Sequence, residues 1–130
     1  MNEFYLVDTN AWIGFFEGRK GFSPKIREIM SDESWACFIS IASIWEAAIK
    51  VGLGKLRLAY DLKTDLPRIL EDNGFEILPL EFEDVVGVRD LPPVHGDPFD
   101  RIQAIQVQRR GWQMLSHDPI FDAYGIKRIG

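Results

Sequence analysis

Apolar and polar positions along this chain follow two alternating rhythms. Short, mostly apolar runs at Phe4-Tyr5-Leu6-Val7, Ala36-Cys37-Phe38-Ile39, Phe75-Glu76-Ile77-Leu78 and Trp112-Gln113-Met114-Leu115 have the length and composition of buried strands. Between them the spacing predicts helices. Residues 9–17 carry Trp12, Ile13, Phe15 and Phe16 and stop at Gly18. Ser23-Pro24 forms an N-cap and first helical position for a helix to about Met30. From Ile41 the apolar residues fall at Ile41, Ile44, Trp45, Ala48 and Ile49, a helical stripe ended by Gly52 and Gly54. Pro67 opens a short helix closed by Asn73-Gly74, and a weaker one covers residues 81–90. Asp97-Pro98 starts a helix that runs to Arg110-Gly111, and Asp118-Pro119 opens a short one to Tyr124-Gly125. Residues 91–96 are loop by their prolines and glycine, and residues 126–129 form a last edge strand. This alternation predicts the α/β class, with a mostly parallel sheet of four or five strands and helices on both faces.

Composition narrows the function classes. Length suits a single domain over residues 1–130 with one sizeable core. With 15 Lys+Arg against 20 Asp+Glu the net charge is −5, which argues against coating nucleic acid by bulk charge but leaves room for a local basic patch and a bound cation. No apolar run approaches the roughly 20 residues of a membrane helix. The acidic, briefly apolar start lacks the features of a signal peptide, and Cys37 is alone, so a reducing, cytoplasmic location is expected.

The acids carry the chemistry. In open parallel sheets, ligands bind beyond the carboxyl ends of the strands, where strand order reverses. Asp8 ends the first strand, Asp118 lies just past the fourth, Glu46 sits on the helix after the second, and Asp97 and Asp100 open the helix after the proline-rich loop. Carboxylates converging at that edge repel one another, and a divalent cation relieves the repulsion. Hard oxygen donors suit Mg²⁺ or Mn²⁺. Each acid also has a plainer role: Asp8, Asp97 and Asp118 as helix caps, Glu46 as partner of Lys50 one turn on, and Asp100 as a first-turn acid favoured by the helix dipole. His95 and His117 are expected to face solvent from loops, Cys37 to be inert core, and the four tryptophans to be core or interface. Gly52-Leu53-Gly54-Lys55 lacks the phosphate-loop spacing, and no nucleophile elbow or zinc spacing is present.

Taken together, the chain resembles PIN-domain ribonucleases, and more narrowly the VapC-type toxins of bacterial toxin–antitoxin pairs. The resemblance rests on Leu6-Val7-Asp8-Thr9-Asn10, on Ser40 to Lys50 around Trp45-Glu46, on Gly54-Lys55-Leu56, on Ser116-His117-Asp118 with Phe121 and Tyr124, and on His95-Gly96-Asp97-Pro98-Phe99-Asp100-Arg101. That last stretch is similar to one subgroup's most specific signature. The resemblance implies a PIN-like three-layer α/β/α sandwich. It implies Mg²⁺ or Mn²⁺ held by Asp8, Glu46, Asp100 and Asp118, the same four serving as catalytic residues, with Asp97 an additional acid. Thr9 and Asn10 would orient the first carboxylate or a water, and Ser116 stands where many relatives have Thr. The implied activity is endoribonuclease cleavage of tRNA or rRNA by a metal-activated water. The implied partners are an antitoxin and a second copy of the chain. Lys50, Lys55, Arg57 and Arg101 are candidates to hold the RNA backbone. Two other readings stand beside it. One is a phosphoryl-transfer enzyme with Asp8 as nucleophile, although Asn10 replaces the Asp that a haloacid-dehalogenase pattern wants. The other is a non-catalytic interaction module on the same fold.

Overall fold

The computed structural model describes residues 3–130. Strands β1 (Phe4–Val7), β2 (Ala36–Ser40), β3 (Glu76–Leu78), β4 (Gln113–Leu115) and β5 (Lys127–Ile129) form one sheet in the order β3-β2-β1-β4-β5, and every pairing is parallel. The helices are α1 (Thr9–Phe16), α2 (Pro24–Ser31), α3 (Ile41–Gly52), α4 (Leu66–Asp72), α5 (Phe82–Gly87) and α6 (Pro98–Arg110), with 3₁₀ turns η1 (Val88–Asp90) and η2 (Pro119–Tyr124). Pleating sends alternate residues of each strand to opposite faces. Tyr5, Val7, Cys37, Ile39 and Leu115 pack with Trp12 and Ile13 of α1, Ile26 and Ile29 of α2 and Leu70 of α4. Leu6 and Met114 pack on the other face with Ala104 and Val107 of α6 and Phe121 of η2. The result is the expected three-layer sandwich, its central strand covered on both sides.

The chain runs outward from β1 through β2 to β3, then returns to place β4 and β5 on the other side of β1. Strand order therefore reverses at β1 and β4, and their carboxyl ends flank the crevice where such sheets bind ligands. Three expectations need correction. Residues 119–124 form a 3₁₀ turn, not an α-helix, and the weaker helix at 81–90 is α only to Gly87. The fourth strand starts at Gln113, because Trp112 lies outside the ladder and stacks on Phe4 at 5.5 Å beside the Arg110 guanidinium. Among the described residues no helix is long and apolar enough to cross a membrane.

One buried charge fastens α5 to α6. Asp84 is fully buried and accepts from Arg109 at 2.5 Å, from Arg110 at 2.9 and 3.1 Å, and from the Glu81 amide at 3.0 Å. Burial alone would raise its pKa. The bonds from Arg110, the Glu81 amide and Arg109 outweigh burial and hold the carboxyl below its usual range.

Candidate active site

The site is built where β1 ends. Asp8 is 6% exposed, and both of its oxygens are held. Oδ1 accepts the Thr9 amide at 2.8 Å and Oδ2 the Ser116 hydroxyl at 2.8 Å. The Ser116 oxygen in turn accepts the Asp118 amide at 3.0 Å, so the ends of β1 and β4 are joined through a single side chain. Asp8 is thus the expected N-cap of α1 and also an oriented carboxylate in the crevice.

Glu46 comes in from α3, and it too is 6% exposed. Thr9 Oγ1 donates to Glu46 Oε1 at 2.7 Å and lies 2.6 Å from Ser43 Oγ, which also accepts the indole N–H of Trp12 at 2.7 Å. The Thr9 hydroxyl therefore positions Glu46 rather than Asp8, and only its amide serves Asp8. The other oxygen of Glu46 takes the Lys50 ammonium at 2.9 Å. The expected ion pair exists, but its acid end is buried, and its lysine is raised in pKa by the hydrogen bond it donates to Glu46.

Asp100 reaches the same point from the first turn of α6. Its neighbour Asp97 caps that helix, accepting the amides of Phe99 at 2.9 Å and Asp100 at 3.3 Å. Burial, and then the charge of Asp97, push Asp100 up to about 6, against the hydrogen bond from His95 and with a further rise from Glu46. Burial dominates at Asp8 as well. It outweighs the Ser116 and Thr9 bonds and, with the charges of Asp100 and Glu46, pushes that carboxyl up to about 7. Asp8, Glu46 and Asp100 thus act on one another as a repelling set. Asp118 stands apart: it is exposed, and its Oδ1 accepts the Ile120 amide at 3.0 Å to cap η2.

His95 is a correction. It does not face solvent. Its Nδ1 lies 2.5 Å from the Tyr124 hydroxyl and its Nε2 3.2 Å from Asp100 Oδ2. With the tyrosine donating to Nδ1, the neutral ring carries its proton on Nε2 and donates it to Asp100. Arg101 is a second correction. Its guanidinium donates to the carbonyls of Pro92 at 2.8 Å, Val88 at 3.2 Å and His95 at 3.3 Å, and to the Tyr124 hydroxyl at 3.4 Å. Those bonds shape the proline-rich loop that presents His95, and a guanidinium committed to carbonyls does not grip phosphate. Sequence reasoning passed over His95 and Tyr124 as functional residues. The signal was the five-residue step from His95 to Asp100, which spans one loop and one helical turn.

The remaining candidates are peripheral. Lys55 and Arg57 are exposed after α3, and Arg57 lines a cleft of about 490 Å³ with Tyr60 and Asp65 that includes none of the four acids. Asn10 is exposed beside Asp8. His117 is exposed as expected, but its Nε2 accepts the Ser23 amide at 3.1 Å.

Among the described residues, no three acidic, histidine or cysteine side chains close tightly enough to cage an ion by themselves. The donor set is nonetheless all carboxylate oxygen and mutually repelling, with Asp8 and Glu46 buried and Asp100 half-buried. That fits Mg²⁺ or Mn²⁺, which binds through one or two carboxylates, waters and substrate phosphate rather than through an all-protein cage.

The family model of the PIN domain matches residues 5–127. No curated protein sequence matches. Among solved structures, the chain is similar to VapBC2 from Rickettsia felis bound to a promoter DNA fragment, at TM-score 0.66 and 13% identity over 97% of each chain. It is similar to a FitAB complex bound to the IR36 DNA fragment, at TM-score 0.63 and 14% identity over 96% of this chain and 93% of that one. It is similar also to FitAcB from Neisseria gonorrhoeae, at TM-score 0.60 and 18% identity over 97% and 96%. At these identities the likeness is one of fold.

Proposed function

The chain belongs to the PIN domain family, and on that premise we propose that it is a metal-dependent endoribonuclease, the toxin of a toxin–antitoxin pair. The observation that carries this reading is the repelling set of Asp8, Glu46 and Asp100 at the point where strand order reverses. Asp8, Glu46 and Asp100 would hold Mg²⁺ or Mn²⁺, with Asp118 at the rim and Asp97 acting on Asp100 through its charge. When bound there, the ion supplies the positive charge that polarises water and offsets charge building on the phosphate. The chain's own residues do the positioning. Ser116 and the Thr9 amide fix Asp8, the Thr9 hydroxyl fixes Glu46, and His95 fixes Asp100. Lys50 keeps one positive charge beside Glu46, within reach of an incoming phosphate, and Lys55 and Arg57 extend that side toward the RNA backbone.

Purified protein should cleave tRNA or rRNA with Mg²⁺ or Mn²⁺ and not in EDTA. Either ion should also raise the melting temperature, because a ligand bound only by the folded state stabilises it. Glu46→Gln should blunt that rise. Cleavage undiminished in EDTA, with melting indifferent to both ions, sinks the reading.

His95→Ala should weaken Mn²⁺ affinity by about 10–100-fold, the usual effect of removing a group that orients a ligand, with His95→Gln recovering part of it. Calorimetric titration with Mn²⁺ would show this, and equal affinity in wild type and His95→Ala would return the imidazole to a purely structural role.

Two partners complete the proposal. An antitoxin that places Arg or Lys among the acids would gain charge-assisted bonds and compete with the ion. A second copy of the chain is supported by the face around Trp45. Of the aromatics on the first and third helices, Trp12 is buried and Phe15 and Phe16 are half-buried, while Trp45 is 60% exposed. Trp45 stands edge-on to Phe99 over a groove of about 280 Å³ walled by Leu80, Val85 and Ile102. An apolar face of this kind is characteristic of an interface.

A further inference from the structure

We infer that the cleft between the α1–α2 loop and His117 is a subsite for the sugar-phosphate backbone of the RNA strand being cut. The inference rests on the ribonuclease reading above and extends the substrate path to the segments that adjoin Asp8 and Asp118 in the chain. The cleft measures about 410 Å³, within the roughly 300–1,000 Å³ of small-molecule sites and enough for a nucleotide. Its lining includes Arg19, Lys20, Asn10 and His117 and, among the described residues, no carboxylate. On a chain of net charge −5 this is a local positive wall.

The wall is built rather than incidental. Gly18 and Gly21 take left-handed backbone, with φ of 65° and 76°, and bracket Arg19 and Lys20 in a tight turn. Phe22 closes against α1 because residue 14 is glycine; a Cβ there would meet the Phe22 ring at 3.0 Å. The Phe22 ring stands edge-on to His117 at 4.8 Å, and the Ser23 amide donates to His117 Nε2. The loop is thereby pinned to the segment that carries Asp118. The ion pair of Arg19 with Glu17 is long, at 3.4 Å, and its arginine is half exposed, so a phosphate can replace it.

Position favours a nucleic acid strand over an acidic protein. Asn10 is two residues past Asp8 and His117 adjoins Asp118, so the cleft is lined by chain neighbours of two of the acids. A continuous polyanion reaching those acids is repelled by them, and cations along its path offset that repulsion.

The test uses Asp8→Asn protein, which binds without cutting, and a labelled single-stranded RNA pool of random sequence. Affinity is followed by anisotropy across a salt series. Adding Arg19→Gln and Lys20→Gln should weaken binding at low salt and reduce the slope of log affinity against log salt by about 1.4, or 0.7 for each lost phosphate contact. With Asp8 intact, the same pair should raise KM and leave kcat unchanged. Lys63→Gln with Arg68→Gln removes equal charge elsewhere and should leave the slope unchanged. An unchanged slope in the Arg19 and Lys20 variant overturns the inference, as does an equal fall in the control. So does a loss confined to binding of the antitoxin, which would give the cleft to a protein. If wild type cleaves no RNA at all, the ribonuclease reading falls first and this subsite falls with it.

Discussion

Asp8→Asn should abolish RNA cleavage and, in EDTA at neutral pH, raise the melting temperature. Losing the several kcal/mol of charge stabilisation that an ion-binding carboxylate provides corresponds to about a thousandfold or more in rate. The stability effect has the opposite sign because the native carboxylate is costly. Asp8 titrates at about 7 in the folded chain against 3.8 ordinarily, so between those values the folded state binds more protons than the unfolded. Stability therefore falls as pH rises from about 4 through about 7, and it has fallen fully above that window. Asparagine is neutral throughout and caps a helix as well as aspartate does, so α1 keeps its start. The expected gain is on the order of 1–3 kcal/mol at pH 8, shrinking toward zero near pH 4. Melting curves of both proteins at pH 5 and pH 8 in EDTA would show the difference. Parallel pH dependence would mean that Asp8 carries no such strain.

Asp84→Ala should be the most damaging substitution outside the site, costing about 3–5 kcal/mol, the usual result of removing one partner from a buried ion pair. The loss strands Arg110, whose side chain is mostly covered, and removes the acceptor for the Glu81 amide at the start of α5. A melting temperature lower by about ten degrees or more is expected. Arg109→Ala should cost less, since Arg110 still holds the carboxylate and Arg109 is the more exposed of the two. The depressed pKa adds a pH signature. This contribution is present above the ordinary carboxylate pKa and is lost as pH falls through the lower folded value. Urea titrations of the three proteins would rank them, and a stability for Asp84→Ala close to wild type would show that the pair merely breaks even with its desolvation.

The elements that signalled themselves did so through local chemistry. Ser23-Pro24, Asp97-Pro98 and Asp118-Pro119 each pair a capping side chain with a proline at the first helical position, and each starts a helix or 3₁₀ turn in the structure. Asp8 and Asp100 could be placed because strand ends and helix starts are local features, and Glu46 because it lies on the helix that directly follows β2. What stayed hidden depends on contacts made at a distance. Strand order is set by which apolar strips bury one another, and no local pattern distinguishes a chain that returns beside β1 from one that continues outward. Arg101 looks like a surface cation in sequence, yet it folds back on carbonyls of residues 88–95. Asp84 looks like a first-turn acid, and its partners lie 25 and 26 residues away. Trp12 and Trp45 both sit in apolar helical segments, and only the packing of α1 beneath α3 decides that one is covered and the other bare.

The hydrogen bond from Ser116 to Asp8 joins residues 108 positions apart, and β4 itself leans on β5 through the bond from the Ser116 amide to the Ile129 carbonyl. During synthesis, β1 leaves the ribosome well before β4, so it can acquire its second neighbour only when residues 113–115 follow. Contacts of such long range make folding slow relative to helical proteins of similar size. A nascent chain thus carries Asp8 and Glu46 before the crevice between β1 and β4 exists. On the ribonuclease reading proposed above, the topology delays competence until β4 has been made and paired with β1.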